Sequence, residues 1–438
     1  MKGNTTDTKR SEDVSTRQHR IAELARTHPQ WTFTALNHYL DMDWMQEAYR
    51  RTRKDGAPGV AGQSAAEYAK QLADNLQALL DRAKTGTYRA PPVKRGYVPK
   101  DGKEMRPVGM PTFEDKVLQR AVVMVMEPIC EQDFKDCSHG FRPNHSAHQA
   151  LESLWRQIMR MGGCWLIDGD ITKFFDRLDK GHLRSFLDRR VRDGVIRRLI
   201  DKWLKAGVLE AGAVEYPELG TPQGGVISPL LSKIYLHEVL DRWFEEQIRP
   251  RLRGRAFLIR YADDFVMGFE RQEDAKRVLA VLAKRLEKYG LQLHEGKTRL
   301  VDLRPPDPGV GGGTFNFLGF THHWAKSRKG RWYVQRETMS QRMTRAVKSI
   351  GVWCRRCRTI PVADQWKKLC QKVNGHYAYY GITGNAKALS DYRRHVQERW
   401  HYWLNRRSRK RDMPWDRFNR LLARYPLPAP RVIHSVYA

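Results

Sequence analysis

The stretch Ala256-Phe257-Leu258-Ile259-Arg260-Tyr261-Ala262-Asp263-Asp264-Phe265-Val266-Met267-Gly268-Phe269 decides how this chain is read. Apolar, β-branched and aromatic residues crowd both of its ends, the pattern of two buried strands. Two acids interrupt them, so the pattern predicts a hairpin with Asp263 and Asp264 at its tip. An acid pair flanked by apolar strands is costly unless a cation offsets the charge. The plain alternative is an ordinary acidic turn, and a carboxylate elsewhere has to decide between the two.

That carboxylate lies upstream. Cys164-Trp165-Leu166-Ile167-Asp168-Gly169-Asp170-Ile171 is a short apolar run holding two acids, read as a buried strand that ends at the carboxylates. Asp170 at this strand end and Asp263 at the hairpin tip would supply hard oxygen ligands from two strands of one sheet, with Asp264 adjacent. Nucleotidyl transfer uses two magnesium ions roughly 3.5–4 Å apart. Magnesium typically takes only one or two protein carboxylates beside water and phosphate oxygens. Asp168 shares a strand face with Asp170 and reads as a solvated or salt-bridged acid rather than a third ligand.

Outward from these acids, helical spacing covers residues 114–130, 183–209, 230–244 and 273–289, and it returns from residue 340 to the end. Extended pieces run from residue 88 to 111, a strand is expected at 291–294, and a last pair at 314–324 and 332–335. Gly56-Ala57-Pro58-Gly59-Val60-Ala61-Gly62 marks a turn, and so does the glycine-flanked run from Gly220 through Gln223 to Pro229. Residues 1–28 are polar and short of aromatics, a leader expected to lack a packed core. The result is an α+β chain without internal repeats.

At 438 residues, with 41% hydrophobic and 10% aromatic side chains, the chain can bury a sizeable core in two or three domains. Lys and Arg number 79 against 49 Asp and Glu, a net charge of +30, which points to a polyanionic partner, nucleic acid first. Residues 341–438 hold 22 of the basic and 5 of the acidic residues, an excess of 17. No apolar run nears the ~20 residues that cross a bilayer. The N-terminus lacks the apolar core of a secretory signal, so an intracellular, cytoplasmic protein with no membrane partner is expected.

Six cysteines form no dense framework, which suits a reducing compartment. Cys354 and Cys357 make one C-x-x-C, but they continue the helical stripe Met343, Val347, Ile350 and are read as buried helix cysteines rather than metal ligands. Leu389, Tyr392, Val396 and Trp403 suggest another apolar face. Arg393, Arg394, Arg406, Arg407, Arg409 and Lys410 lie around it, a basic surface with aromatics that suits RNA.

Taken in order, these motifs resemble group II intron-encoded reverse transcriptases and maturases. The resemblance rests on Gly56 to Val60, Val98-Pro99-Lys100-Asp101-Gly102-Lys103 with Arg106-Pro107, Gly140-Phe141-Arg142-Pro143 and Asp170-Ile171-Thr172-Lys173-Phe174-Phe175-Asp176. It continues through Gly220 to Pro229, Tyr261 to Asp264, Lys297-Thr298-Arg299, Phe317-Leu318-Gly319-Phe320, Tyr379-Tyr380-Gly381 and Trp400 to Arg409. It covers nearly the whole chain from about Trp31.

The resemblance implies a right-hand polymerase: a leader at 1–28, an N-terminal extension at 29–87, fingers and a ferredoxin-like palm at 88–335, and a helical thumb and maturase region at 336–438. Asp170, Asp263 and Asp264 become the ligands of two Mg²⁺. Lys100, Arg106, Gln223 and Lys297 become nucleotide contacts. Phe175 becomes the ring that excludes a ribonucleotide 2′-hydroxyl. Phe317, Leu318 and Gly319 become the primer grip, with Arg142 in a loop near the template.

Its partners would be the intron RNA, an RNA template with a DNA primer, dNTPs and target DNA. Ala61 and Lys180 depart from the family's usual Asp and His, and no H-N-H nuclease motif follows the maturase region. The alternatives are a related reverse transcriptase recruited to phage defence or a CRISPR locus, and a splicing cofactor that binds RNA without polymerising.

Overall fold

A computed structural model describes residues 5–99, 105–210, 213–216, 224–306, 311–407 and 413–436, with side chains placed from residue 13 onward. The chain opens with α1 (Thr5–Thr27), α2 (Met42–Arg51), α3 (Ala65–Ala69) and α4 (Leu72–Thr85). Then come β1 (Val93–Pro99), β2 (Met105–Met110), α5 (Phe113–Asp133) and α6 (Ala147–Met161). The next stretch holds β3 (Cys164–Gly169), α7 (Phe174–Arg177), α8 (Lys180–Leu187), α9 (Gly194–Leu204), β4 (Val208–Glu210) and β5 (Ala213–Glu215).

α10 (Ser228–Leu236) runs on into π-helical turns at His237–Asp241 and Phe244–Ile248. It is followed by β6 (Ala256–Tyr261), β7 (Asp264–Phe269), α11 (Gln272–Lys288), β8 (Arg299–Leu303), β9 (Phe315–Phe317), β10 (Phe320–Lys326) and β11 (Trp332–Thr338). The C-terminal part is helical: α12 (Ser340–Arg356), α13 (Val362–Tyr380), α14 (Ala386–Leu404) and α15 (Trp415–Arg424). Helices and sheets coexist as the α+β reading requires.

The chain divides into two interleaved compact units. One holds residues 1–146, 169–266 and 276–298, and the other 147–168, 267–275 and 299–438. A four-stranded sheet has the order β6-β7-β3-β8.

In the first unit α5 is the central element. Val117, Leu118, Ala121, Val122, Val125 and Met126 have no exposed surface, and such all-round burial marks a helix enclosed by others. α1 and α2 pack on it, and Trp44 Nε1 donates to the Ala121 carbonyl at 2.9 Å. The leader therefore departs from expectation. Val14, Ile21 and Ala25 recur at helical steps and are buried, which gives α1 a packed stripe despite its polar composition. A second sheet of order β2-β1-β4-β5 carries the β1–β2 hairpin, in which Arg106 faces Val98.

In the second unit the helices close on Ile350, Cys354, Leu369, Val373, Tyr377, Leu389, Val396 and Trp400. Trp400 Nε1 donates to Gln365 Oε1 at 3.0 Å. Cys354 is buried in this core, all six cysteines are free, and no His, Cys, Asp and Glu cluster of metal-binding kind occurs among the described residues.

The expected pair of strands is three, β9, β10 and β11, in the order β11-β10-β9. Among the described residues no helix is long and apolar enough to cross a membrane.

Candidate active site

The hairpin between β6 and β7 is tight. Tyr261 ends one strand and Asp264 begins the next, so only Ala262 and Asp263 form the turn. Ala262 sits at φ 59, a left-handed conformation that residues with a Cβ avoid. Gly140 packs against it: a Cβ on Gly140 would lie 2.2 Å from the Ala262 nitrogen, so only glycine fits. Asp263 is half-buried, and Asp264 is exposed.

Asp170 follows the last residue of β3 and is fixed by residues 291–298. Its carbonyl accepts from His294 N at 2.8 Å, and Ile171 bridges Leu293. Thr172 N donates to the Gln292 carbonyl at 2.8 Å. The expected strand at 291–294 is thus a single antiparallel bridge, and the place beside β3 belongs to β8. The same segment delivers Lys297, whose Nζ lies 2.8 Å from Asp170 Oδ2.

Gly169 lets the two acid-bearing strands approach. A Cβ there would meet the Phe265 ring at 2.3 Å, so the residue before Asp170 and the residue after Asp264 are in direct contact. Asp168 is paired with Arg299 at 3.2 Å.

The electrostatics follow from this crowding. Burial pushes the Asp263 carboxyl above the usual carboxylate range, and the negative charge of Asp170 pushes it further. A backbone hydrogen bond and the charges of Arg106 and Arg260 pull it back. Two carboxylates whose charges oppose one another are a donor set that a divalent cation would offset, and magnesium typically takes one or two protein carboxylates beside water and phosphate.

Arg106 is exposed on β2. Phe174 is buried against Tyr235, whereas Phe175 is only half-buried and meets Phe174 edge-on at 5.2 Å. The core-packing duty therefore falls to Phe174. Lys100 and Gln223 lie outside the described residues. Gly224, next to Gln223, passes close enough to the Gly109 carbonyl that a Cβ would stand 2.2 Å from it.

The reverse transcriptase (RNA-dependent DNA polymerase) family model matches residues 98–322, just over half of the chain. The chain belongs to the reverse transcriptases. Protein YkfC of Escherichia coli K12 is 35% identical over 358 residues, which cover 73% of this chain and 91% of YkfC. The group II intron-encoded protein LtrA of Lactococcus lactis subsp. cremoris is 35% identical over 281 residues, 61% of this chain and 46% of LtrA. Nuclear intron maturase 2 of Arabidopsis thaliana is 27% identical over 183 residues, 32% of this chain and 24% of the plant protein. The chain thus spans less than half of LtrA and of the maturase, and the resemblance drawn from the motifs is borne out.

The structure of this reverse transcriptase also locates the remaining candidates. Arg142 is almost wholly buried: its Nε donates to Glu131 at 2.8 Å, and Nη1 donates to the carbonyls of Lys135 and Ser138, each at 2.9 Å. It holds the loop that ends in Gly140. In the second unit Phe317 is buried strand packing, and Leu318 and Gly319 form a left-handed turn whose Leu318 carbonyl accepts from Tyr379 Oη at 2.9 Å.

Of the basic residues after Ser340, Arg393 donates to the Leu427 carbonyl, and Arg394 pairs with Asp391 and Glu398. Arg406 stacks on Tyr402 with Cζ 3.6 Å from the ring centroid, and Arg407 donates to the Thr359 carbonyl. Arg409 and Lys410 lie outside the described residues. Sequence reasoning assigns no role to Gly140 and Gly169, which permit close approaches, or to His294, whose backbone N–H donates to the Asp170 carbonyl. Close backbone approach is expected at the glycine-flanked turn of Gln223, and Gly224 makes it.

Proposed function

We propose that this reverse transcriptase copies RNA into DNA with two magnesium ions held by Asp170, Asp263 and Asp264, and that its RNA is a group II intron which it also helps to splice. The supporting observation is the half-buried Asp263 carboxyl, raised by burial and by Asp170 on the neighbouring strand. Bound divalent cations supply charge that stabilises the phosphoryl group in transit and lower the pKa of the attacking hydroxyl. In this reading a primer 3′-hydroxyl attacks the α-phosphate of a dNTP and pyrophosphate leaves.

Lys100, Arg106, Gln223 and Lys297 hold the nucleotide. A charge-assisted contact from the mobile-stemmed Lys297, now on Asp170, suits the leaving pyrophosphate. The ring of Phe175 rejects a 2′-hydroxyl by its bulk, which its partial exposure permits.

The chain is read as a right hand, with the extension at 29–87, fingers and palm at 88–335, and thumb and maturase region at 336–438. Phe317, Leu318 and Gly319 grip the primer, and Arg142 acts on the template side by bracing its loop. Arg393, Arg394, Arg406, Arg407, Arg409 and Lys410 meet the intron RNA, with target DNA as the second nucleic acid.

The test is primer extension by the purified chain on an RNA template with dNTPs and Mg²⁺. Stepwise lengthening is expected, with ribonucleotides refused. A chain that binds RNA and leaves the primer at its starting length contradicts the reading.

A further inference from the structure

β6 carries a cation where a buried strand should have none. Arg260 has no exposed surface, and neither has Asp241, which lies in the π-helical turn after α10. Arg260 Nε donates to Asp241 Oδ1 at 2.6 Å. Nη2 is shared between Asp241 Oδ2 and Ser138 Oγ, the latter at 2.7 Å. A buried ion pair is a poor stabiliser, since apolar residues of similar volume often serve as well or better. The pair therefore calls for another reason, and the last bond of the guanidinium supplies one.

Arg260 Nη1 donates to the carbonyl of Ala262 at 2.9 Å. Ala262 is the left-handed residue immediately before Asp263. The segment that provides Ser138 also runs beside β6, with His139 N donating to the Arg260 carbonyl at 2.9 Å and Arg260 N to the Cys137 carbonyl at 2.7 Å. Two residues on, it sets Gly140 against the Ala262 nitrogen. A conformation that alanine avoids is thus gripped at its carbonyl by a fork and at its nitrogen by a glycine, and strain held this firmly at a site points to function.

We propose that Arg260 is a positioning residue of the polymerase site: with Asp241 and Ser138 it forms a buried clamp on the Ala262 carbonyl that fixes how Asp263 is presented to a divalent cation. The inference rests on the polymerase reading above. Lysine cannot replace the fork, because one ammonium does not reach Asp241, Ser138 and the Ala262 carbonyl in a fixed plane.

Three variants of the full chain test the clamp: Arg260→Lys, the double variant Arg260→Met with Asp241→Leu, and Ser138→Ala. Each is followed by thermal melting, by Mn²⁺ binding in electron paramagnetic resonance without nucleotide, and by single-turnover extension against Mg²⁺ and dNTP. Groups that orient metal ligands typically alter affinity by about 10- to 100-fold. Arg260→Lys is accordingly expected to weaken Mn²⁺ binding and raise the Mg²⁺ requirement by about tenfold, with KM for dNTP within about twofold of wild type.

The double variant should remain folded yet show the same metal defect. Wild-type metal binding in a folded double variant would overturn the clamp. If the double variant does not fold, Ser138→Ala decides: weakened Mn²⁺ binding supports the clamp and unchanged binding overturns it. If Arg260→Lys weakens Mn²⁺ binding while the wild type extends no primer, the polymerase reading fails and the clamp stands.

Discussion

Charge is used in opposite ways at the acid pair of the first unit and in the basic helices of the second. At the pair, burial and then the charge of Asp170 hold the Asp263 carboxyl above its usual range. After Ser340, several charges are relieved inside the chain: Arg394 pairs with two acids, and Arg393 and Arg407 donate to carbonyls. A charge left in tension with its surroundings marks chemistry more sharply than an excess of charge does. In the proposed reading the +30 balance points to the class of partner and the two acids to the reaction.

The contrast can be broken where it is strongest. Asp170→Ala should lower single-turnover extension by about 10³-fold, the scale expected when charge stabilisation of the transition state is removed. It should change the melting temperature little, because the repulsion of Asp263 and the largely exposed pair with Lys297 are lost together. A fall in both would make Asp170 a structural residue.

Next in size is Trp400→Ala. Trp400 is fully buried, meets Phe418 at 5.8 Å and bonds Gln365, so truncation should cost about 3–5 kcal/mol in denaturant unfolding of the helical core. A cost below about 1 kcal/mol would show a core able to collapse around the loss.

Phe175→Val comes third: discrimination between dNTP and rNTP should fall on the order of 10- to 100-fold, the range over which pocket volume sorts substrates. Unchanged discrimination would return Phe175 to plain packing.

The raised Asp263 carboxyl gives a subtler pair of effects. An acid whose folded pKa is raised favours the folded state in its protonated form, so its contribution is full at low pH and is lost as pH rises through the folded value. Asp263→Asn should therefore melt higher than wild type at neutral pH, and the gap should close in acid. Activity at limiting Mg²⁺ moves oppositely, falling as pH drops, because a protonated Asp263 must lose its proton to bind the metal. A melting gap that widens in acid contradicts the sign.

Arg394→Ala should have the smallest effect, leaving the melting temperature close to that of wild type, as the loss of an exposed helix pair does. It would reduce the salt slope of RNA binding by about one if the residue meets phosphate.

Much of this was legible from residue types. The 256–269 run announces two strands and an acid turn because apolar side chains stand on both sides, and the Cys354 stripe announces a helix core. What stayed hidden depends on contacts far apart in the chain. β8 reads Arg299-Leu300-Val301-Asp302-Leu303 and buries only Val301 and Leu303, too short an alternation to announce a strand, whereas the more apolar 291–294 makes a single bridge. α1 packs with few apolar residues because α5 and α2 supply the opposing surface. Arg260 is a cation in an apolar run, and its reason lies 19 residues earlier at Asp241 and 122 earlier at Ser138.

In the proposed reading Asp170 and Asp263 carry the reaction while their neighbour Asp168, paired with Arg299, does not. It is tested most directly by single-turnover extension of a DNA primer on an RNA template, comparing wild type, Asp263→Asn and Asp168→Asn at saturating Mg²⁺ and dNTP. The account predicts a loss of about 10³-fold for Asp263→Asn and a rate within about threefold of wild type for Asp168→Asn. Equal rates for wild type and Asp263→Asn would contradict it.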